Sequence, residues 1–358
     1  MKKILQFILL IITLLAAVGL ILTTLAGALR PSQNIWLHLF AFGYPFLLAA
    51  NIILMLVWLS LGQWQFLINV ASIALRWGFV GLYFQIGGTS AVPNTDCDRQ
   101  TVTLMTYNVH MFKGDGVNST PSDSNATEFL GLLRHVGTPD ILCLQEYARP
   151  KTLAVTDSLV LMGYNHYYGV NISNKGVPYG TVIFSKMPIS YVNRIDSEKL
   201  FVDIIHPCGT KFRVCNIHMD SYRFDDNDKQ EIERLRHGDL DTDARQTFSK
   251  IKTTILNHEK EWEQHLKPVV TECSLPLIVA GDLNDIPSSW LYKQFSNSLT
   301  DTYCEEGTGF STTYNGGFPN YRIDMVFHSG ELRTSSYKRI KNRLSDHYPV
   351  LTSFELPQ

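Results

Sequence analysis

Polar side chains stand at the ends of several apolar runs in the later part of the chain. Runs of this kind are typical of buried β-strands, and such strands do not normally end in unpaired acids, amides or imidazoles unless something binds them. Strand ends can meet at one rim of a sheet, so a single site is the economical explanation. The residues are Asn108 after TLMTY, Glu146 after ILCLQ, His218 after FRVCNI, Asp282 and Asn284 in PLIVAGDLND, and Asp346 and His347 in SDH.

Each of these residues also has an ordinary structural explanation. Asn108 can cap a turn, Glu146 can cap a following helix, and Asp282 can stabilise the turn at Gly281. A coincidence that produces the whole ordered set is harder to accept than one site. Carboxylate and amide oxygens suit Mg²⁺ or Mn²⁺. The six cysteines, all at or beyond Cys97, match no paired zinc pattern, so zinc is disfavoured.

The elements that must hold these residues are strands mixed with helices. Helical periodicity is found at about 126–135 and from 242 to 266, where Ile251, Ile255 and Leu256 share one side. The residue pattern alone predicts an α+β domain. At least eight apolar runs are predicted to be strands: TVTLMTYNV, DILCLQE, TVIFS, LFVDII, KFRVCNIHM, PLIVAGDLN, YRIDMVF and YPVLTSFEL.

Six short blocks along this region resemble the ordered signature of the endonuclease/exonuclease/phosphatase superfamily, in a membrane-anchored bacterial form. The combination of GDLN, then RID, then SDH some sixty residues after GDLN is specific, whereas NIHMD alone is weak. The resemblance covers about Val102 to Leu356. It implies a four-layered α/β/β/α sandwich, the deoxyribonuclease I-like fold, at 100–358. The blocks are TYNVH, ILCLQE, NIHMD, VAGDLND, YRIDMVF and SDHYPV.

The same resemblance implies a role for each matched residue in hydrolysing a phosphate ester. Glu146, Asn108 and Asp346 are the expected ligands of Mg²⁺, or of Mn²⁺. Asp282 is expected to orient and deprotonate the attacking water, and Asn284 to hold a phosphoryl oxygen. His347 and His218 are expected to donate hydrogen bonds to the phosphate, with Asp324 fixing His347.

The substrate is left open between a lipid, a small phosphodiester and a nucleic acid. His110 and the NIHMD block depart from apurinic endonucleases, and YRID replaces the Trp-Cys-Asp-Arg block of inositol polyphosphate phosphatases. The formal net charge is −2 and no long basic block is present, which weakens a nuclease reading. An alternative is a catalytically silent module on the same fold that binds phosphate or a lipid headgroup. The complete set of competent side chains argues against it.

The first ninety residues differ in composition from the rest and predict a membrane anchor. Apolar runs at about 4–29, 35–61 and 66–88 predict two or three transmembrane helices, the third in doubt because Arg76 lies near its middle. A cleaved signal peptide competes for the first run, but its apolar region would be shorter. Residues 91–99 are predicted to be a polar linker.

Lys2 and Lys3 favour a cytoplasmic amino terminus. Three crossings then predict an integral protein of the plasma or inner membrane with an extracytoplasmic catalytic domain. A third run that only lies on the surface would leave the domain in the cytoplasm. Membrane lipid is the expected partner through the helices, and no protein partner is predicted.

Cys208 and Cys215 bracket the stretch CGTKFRVC, which suggests a hairpin whose ends could form a disulfide in an oxidising compartment. The alternative is two unpaired thiols on or near a strand.

Overall fold

The computed structural model describes residues 2–88, 100–114, 122–148, 155–169, 172–174, 177–196, 198–222, 224, 228, 230–231, 234, 245–317 and 320–357. The predicted linker at 91–99 lies outside these residues and stays a prediction.

Two β-sheets form the centre of the catalytic part. The strands of the chain are β1 (Phe84–Gln85), β2 (Thr101–Asn108), β3 (Ile141–Ala148), β4 (His166–Gly169), β5 (Ile172–Asn174), β6 (Val177–Ser185), β7 (Ile189–Arg194), β8 (Lys199–Ile205), β9 (Lys211–His218), β10 (Leu277–Asp282), β11 (Thr300–Asp301), β12 (Gly309–Phe310), β13 (Asp324–His328), β14 (Arg333–Arg339) and β15 (Val350–Glu355). One of the two sheets has six strands in the order β11-β13-β10-β9-β8-β7, and the other has seven in the order β14-β15-β2-β3-β6-β4, with β5 paired to β6.

Helices cover the outer faces of both sheets and also form the amino-terminal part. They are α1 (Lys2–Thr23), α2 (Ile35–Ala41), α3 (Tyr44–Ser60), α4 (Phe66–Leu75), α5 (Trp77–Val80), α6 (Asp123–His135), α7 (Val155–Leu161), α8 (Arg245–Glu261), α9 (Lys267–Thr271), α10 (Trp290–Ser296) and α11 (Thr302–Glu306), with a π-helical turn at Trp262–Leu266.

Three apolar clusters hold the layers together. The central one lies between the sheets and joins side chains such as Leu104 of β2 to Val214 of β9. A second packs the seven-stranded sheet against α6 and α7, and a third packs the six-stranded sheet against α10 and the π turn. Strands β2 and β10 are buried along their whole length because both faces are covered. The predicted four-layered α/β/β/α sandwich is confirmed.

All eight apolar runs predicted as strands are strands, and the two predicted helices are α6 and α8 with its π turn. The hairpin suggested for CGTKFRVC is wrong, because the turn falls between β8 and β9, where Ile205 pairs with Lys211. Cys208 is exposed in that turn, whereas Cys215 is buried within β9, and both thiols are free.

The amino-terminal helices α1, α3 and α4 pack side by side as an antiparallel bundle. Asn51 of α3 donates to the Ala16 carbonyl at 2.9 Å and accepts from Asn69 at 2.9 Å. Trp58 donates to the Thr13 hydroxyl at 2.8 Å. Polar groups thus pair inside this bundle. Its outside is apolar, since 26 of the 33 exposed large hydrophobic side chains among the described residues lie between Ile4 and Ile86.

The predicted transmembrane runs take different forms. The region Lys3–Ala28 is long and apolar enough to cross a bilayer. The run predicted as one span at 35–61 is two helices, α2 and α3, bent by 60°. The third run breaks at Arg76 and leaves α4 with ten residues, about 15 Å long. The number of crossings stays a prediction.

Candidate active site

The six-stranded sheet places three of the predicted site residues side by side. Asp282 ends β10 directly opposite His218, which ends the parallel neighbour β9. It also lies opposite Asp324, which begins the antiparallel neighbour β13. Residues directly opposite in adjacent strands project to the same face. The register therefore brings all three side chains to one rim.

Gly281 allows the strands to approach closely just before Asp282. Its φ is +148°, and a Cβ there would lie 1.9 Å from the carbonyl oxygen of Ile217. No other residue fits this position without moving the backbone of β9. The glycine of the GDLN block thus sets the spacing between Asp282 and His218.

The seven-stranded sheet contributes Asn108 and Glu146 to the same rim. The Asn108 amide nitrogen lies 3.2 Å from Glu146 Oε1 and 3.1 Å from Asp282 Oδ2. Glu146 has a φ of +47° at an irregularity in the β3–β6 pairing. Such a conformation is costly for a residue with a Cβ and is often found where a side chain must be re-aimed at a functional site.

His347 is held between two carboxylates. Its Nδ1 lies 2.9 Å from Asp324 Oδ2, and its Nε2 lies 3.7 Å from Asp282 Oδ2. The Ser345 hydroxyl donates to the Asn108 carbonyl at 2.7 Å, which ties this loop to the end of β2. The sequence-based pairing of Asp324 with His347 agrees with this geometry.

His218 has a carboxylate partner that the sequence did not reveal. Glu198 Oε2 lies 2.9 Å from His218 Nδ1. The opposite nitrogen, Nε2, is buried without a hydrogen-bond partner and lies 3.8 Å from Asp282 Oδ2 and 3.9 Å from Glu146 Oε1. Glu198 directly precedes β8, and only the pairing of β8 with β9 brings it to His218. His218 and His347 are therefore held in the same way: each has a carboxylate at Nδ1 and directs Nε2 towards Asp282.

Asn284 is positioned by its own backbone. Its N–H donates to Asp282 Oδ1 at 2.8 Å, and its φ is +47°. The side-chain amide donates to the Met219 carbonyl at 3.0 Å. An amide nitrogen carries two protons, so one remains for a ligand.

His110 is a further residue at this rim. Its Nδ1 lies 3.4 Å from Asp346 Oδ1 and 3.1 Å from the Gly114 carbonyl oxygen. His110, Met111 and Phe112 all have positive φ angles, of 43°, 52° and 58°. Three such residues in a row are costly, so the turn after Asn108 is strained next to the site.

Burial and neighbouring charge shift the pKa values of the central groups. Burial raises the pKa of Asp282 to about 6, although His347 and His218 oppose the rise. Burial lowers the pKa of His218, but Glu198, Asp282 and Glu146 outweigh it, so that the pKa is about 9. Burial also opposes protonation of His347, yet Asp324 and Asp282 raise its pKa well above the ordinary value. These shifts favour the protonated, cationic form of both histidines.

The donor set fits a hard cation beside Glu146. The side chains of Glu146 and Asp346 are 22% and 21% exposed and remain open to solvent. The amide of Asn108 adjoins Glu146, and a half-turn of it would direct Oδ1 to a metal. Asp282, Asp324 and His347 also place ligand atoms within 4.8 Å of one another. There, however, the pKa of His347 is raised well above its ordinary value, and a protonated imidazole has no lone pair for a metal, so we favour the Glu146 side.

Comparisons with known proteins concern both parts of the chain. In the amino-terminal part, a family model described as a domain of unknown function matches residues 4–83. No curated protein matches the sequence. An endonuclease/exonuclease/phosphatase from Beutenbergia cavernae is 17% identical with a TM-score of 0.52, covering 72% of each chain. The human Nocturnin catalytic domain with bound sulfate anion is 17% identical with a TM-score of 0.51, covering 71% of this chain and 93% of that one.

At an identity as low as 17%, the likeness to these two structures shows a shared fold and nothing more. The decisive match is to the model of the endonuclease/exonuclease/phosphatase family, which spans residues 105–347 and thus more than half of the sequence. The chain belongs to the endonuclease/exonuclease/phosphatase family, a family of phosphoester hydrolases.

Proposed function

We propose that the protein is a membrane-anchored, Mg²⁺-dependent hydrolase of phosphate esters, with residues 100–358 as the catalytic domain and residues 1–90 as the anchor. One observation carries the proposal. Asp282 lies between two histidines, each of which is backed by its own carboxylate. A buried base flanked by two cationic donors is the arrangement that attack of water on a phosphate anion needs.

Asp282 accepts a proton from the attacking water in this proposal. Its Oδ1 is held by the Asn284 N–H, and its Oδ2 faces both histidines. A pKa near 6 keeps the carboxylate ionised at neutral pH while making it more basic than an exposed aspartate. Holding the base rigidly lowers the entropic cost of aligning the water with phosphorus.

His218 and His347 donate hydrogen bonds from Nε2 to the phosphoryl oxygens, and Asn284 donates its remaining amide proton. Glu198 and Asp324 keep the two rings oriented, with the Nε2 atoms directed to the site. These donors stabilise the charge that develops on the phosphoryl group. Water adds across one P–O bond, and the ester oxygen leaves as an alcohol.

Glu146, Asn108 and Asp346 would hold Mg²⁺, with Mn²⁺ as an alternative. The bound cation supplies Lewis-acid stabilisation of the phosphoryl and leaving oxygens. Burial is the main cause of the raised pKa of the Tyr314 hydroxyl, and the carboxylates of Asp346, Asp282 and Glu146 raise it further. This crowding of carboxylates at the rim supports a cation.

The apolar exterior and polar interior of the helical bundle support an integral membrane anchor. Lys2 and Lys3 lie at the end of α1 away from the catalytic domain, which favours an extracytoplasmic active site if α1, α3 and α4 all cross. Labelling of the exposed Cys208 by a membrane-impermeant maleimide in intact cells tests this side. Protection until the cells are opened would contradict it.

The enzymatic proposal is tested with the full chain in detergent and bis-p-nitrophenyl phosphate as substrate. We expect turnover with Mg²⁺ or Mn²⁺ and none with EDTA, and we expect Asp282→Asn to abolish it. Equal rates in EDTA would contradict the metal. Mg²⁺ binding without turnover of phosphodiesters, phosphomonoesters, lipids or oligonucleotides would favour the silent binding module instead.

A further inference from the structure

The segment between α1 and α3, residues 24–43, is docked on the catalytic domain; we call it the docking segment. Ala26 and Ala41 are buried together with Ile286, which follows the catalytic strand β10. The Ser288 hydroxyl donates to the Ala41 carbonyl at 3.2 Å. Tyr83, which follows α5, shares a 2.7 Å hydrogen bond with the same serine. The anchor is thus not connected through a linker alone.

Three further contacts fix the orientation of the anchor. The backbone and hydroxyl of Ser32 both donate to the Glu259 carboxylate at 2.8 Å. Arg30 lies 2.8 Å from Glu263. On another side, β1 pairs with β12, with Phe84 opposite Phe310. Contacts at separate places prevent the domain from rotating about a single point.

The docking segment touches the active-site end of the sheet. The Phe42 ring lies between the rings of Tyr222 and Tyr321, with centroids 5.8 and 5.9 Å away. Tyr222 is four residues beyond His218, and Tyr321 is three residues before Asp324. Ile286 is likewise four residues beyond Asp282. The three strands of the six-stranded sheet that meet at the site, β9, β10 and β13, therefore adjoin segments that contact the anchor.

These contacts limit the height of the active site above a bilayer. Helix α3 begins at Tyr44, two residues after Phe42. The three residues from Tyr321 to Asp324 span at most about 10 Å of chain. The headgroup layer is itself about 5–8 Å thick on each side. With the bilayer taken to begin where α3 begins, the catalytic rim lies close to headgroup level.

Exposed aromatic side chains mark the same level. Trp36 of α2 is 75% exposed and Trp77 of α5 is 67% exposed. Trp36 lies in the docking segment itself, and Trp77 lies beside the start of α3, because the rings of Phe79 of α5 and Tyr44 have centroids 5.9 Å apart. Tryptophan is enriched where a membrane protein meets the interface between hydrocarbon and water. The bilayer surface is therefore expected at the docking segment.

We propose, building on the proposed function, that the substrate is the phosphate ester of a lipid headgroup in the protein's own bilayer. A rigidly docked site at headgroup level receives such a phosphate by lateral diffusion. A nucleic acid would instead need cationic surface, whereas the chain has 31 Lys and Arg against 33 Asp and Glu. In the reaction the water oxygen bonds to phosphorus, one P–O ester bond breaks, and the leaving oxygen takes up a proton.

The test uses the full chain in vesicles of phosphatidylcholine, phosphatidylethanolamine and phosphatidylglycerol. Headgroup-labelled lipids are placed either in the enzyme's vesicles or in separate enzyme-free vesicles, and released product is measured with Mg²⁺. We expect hydrolysis only of lipid that shares the enzyme's bilayer. The rate should fall when that lipid is diluted within the bilayer at constant bulk concentration. Asp282→Asn should release no product from either set.

Two other outcomes separate the inference from the function on which it rests. If the vesicles hydrolyse bis-p-nitrophenyl phosphate or an oligonucleotide in an Asp282-dependent way while every lipid stays intact, the inference is wrong and the hydrolase proposal stands. Equal hydrolysis of lipid in separate vesicles would also overturn it, because a docked site cannot reach them. No Asp282-dependent hydrolysis of any substrate would refute both.

Discussion

Two buried polar side chains, Asn51 in the helical bundle and His218 at the sheet rim, are satisfied to different degrees, although Asn69 Oδ1 in the bundle is also buried without a partner. In the helical bundle, Asn51 uses all its capacity: its amide donates to Ala16 and Leu47, and its carbonyl accepts from Asn69 and Ser72. At the sheet rim, His218 Nε2 is buried with no partner. A satisfied network holds helices together, whereas an open one keeps binding capacity in reserve.

The same contrast appears in the local backbone. The polar groups of the bundle project from regular helices. At the rim, Glu146 and Asn284 both have φ angles of +47°, and Gly281 has a φ of +148°. Strained geometry is retained only where the surrounding structure enforces it. This difference is what we expect if the catalytic groups lie at the rim and the polar groups of the bundle are structural.

The largest expected effect is that of Asp282→Asn. The change removes the proton acceptor but keeps shape and volume, so we expect kcat to fall about a thousandfold with little change in melting temperature. Turnover of bis-p-nitrophenyl phosphate and a thermal melt measure the two quantities. Glu128→Gln, at an exposed position of α6, is the control. Near-normal turnover in the Asp282 variant would mean that the open network at the rim is not catalytic.

Glu198→Gln is expected to have the next largest effect on kcat, because Glu198 acts through His218. Loss of the negative charge lowers the pKa of the imidazole and weakens its orientation, so we expect kcat to fall about ten- to a hundredfold, or about 1.4–2.8 kcal/mol. The loss should fall on kcat more than on KM, and activity should decline at a lower pH than in the wild type. Asp324→Asn should behave alike through His347.

The control for both variants is Asp203→Asn, which removes a carboxylate from neighbouring β8 that pairs with Arg213. It should change stability and leave kcat intact. If Glu198→Gln behaved like this control, with an unchanged pH profile, Glu198 would be a structural residue.

The strands and the site residues were predictable because both signals are local. An apolar run and the polar residue that ends it are neighbours in sequence, so Asn108, Glu146 and Asp282 could be found together. The break in the second apolar run also had a local signal, since Gly43 and Pro45 stand at the start of α3. A continuous span is also compatible with Pro45, because neighbouring helices in a membrane can satisfy the backbone groups that proline leaves unpaired.

What sequence could not reveal depends on pairing between distant segments. Glu198 meets His218 only because β8 pairs with β9, and nothing in its own neighbourhood distinguishes it from other surface acids. Phe42 meets Tyr321 across 279 residues, where the Tyr321 hydroxyl donates to the Phe42 carbonyl. The predicted boundary near residue 90 rests on composition alone and gives no sign of the contacts that join anchor and domain.

His258 of α8 sharpens the comparison because it lies where anchor and domain meet. Its Nδ1 is 3.4 Å from Asp285 and its Nε2 is 2.8 Å from the Asp220 carbonyl, so both nitrogens face acceptors. Burial lowers its pKa, but Asp285, the Asp220 carbonyl and Glu261 raise it more, so the net shift is upward. The stabilisation of the folded state by protonated His258 is therefore complete below the pKa of an unfolded-state histidine, about 6.5. It is lost as pH rises through the higher pKa of His258 in the folded state.

We expect His258→Gln to lower the free energy of unfolding by about 2 kcal/mol at low pH, and by less at high pH. Thermal melts of both proteins across pH measure this difference. His135→Gln, at an exposed position, should give a much smaller and flatter difference. A gap for His258→Gln that widened with rising pH would show that the neutral ring is the form the fold prefers.

Asn51→Leu gives the smallest effect and is the direct test of the opening contrast. The substitution keeps side-chain volume and removes a hydrogen-bond hub from the bundle, at a cost of about 1 kcal/mol, because buried hydrogen bonds between membrane helices are individually weak. Melting in detergent should shift down slightly while kcat stays unchanged. Ile53→Ala, on the exposed face of α3, is the control for general weakening of the helix. A loss of kcat as large as that expected for Glu198→Gln would show that the hydrogen bonds of Asn51 affect the active site. The division between structural and catalytic polar groups would then be wrong.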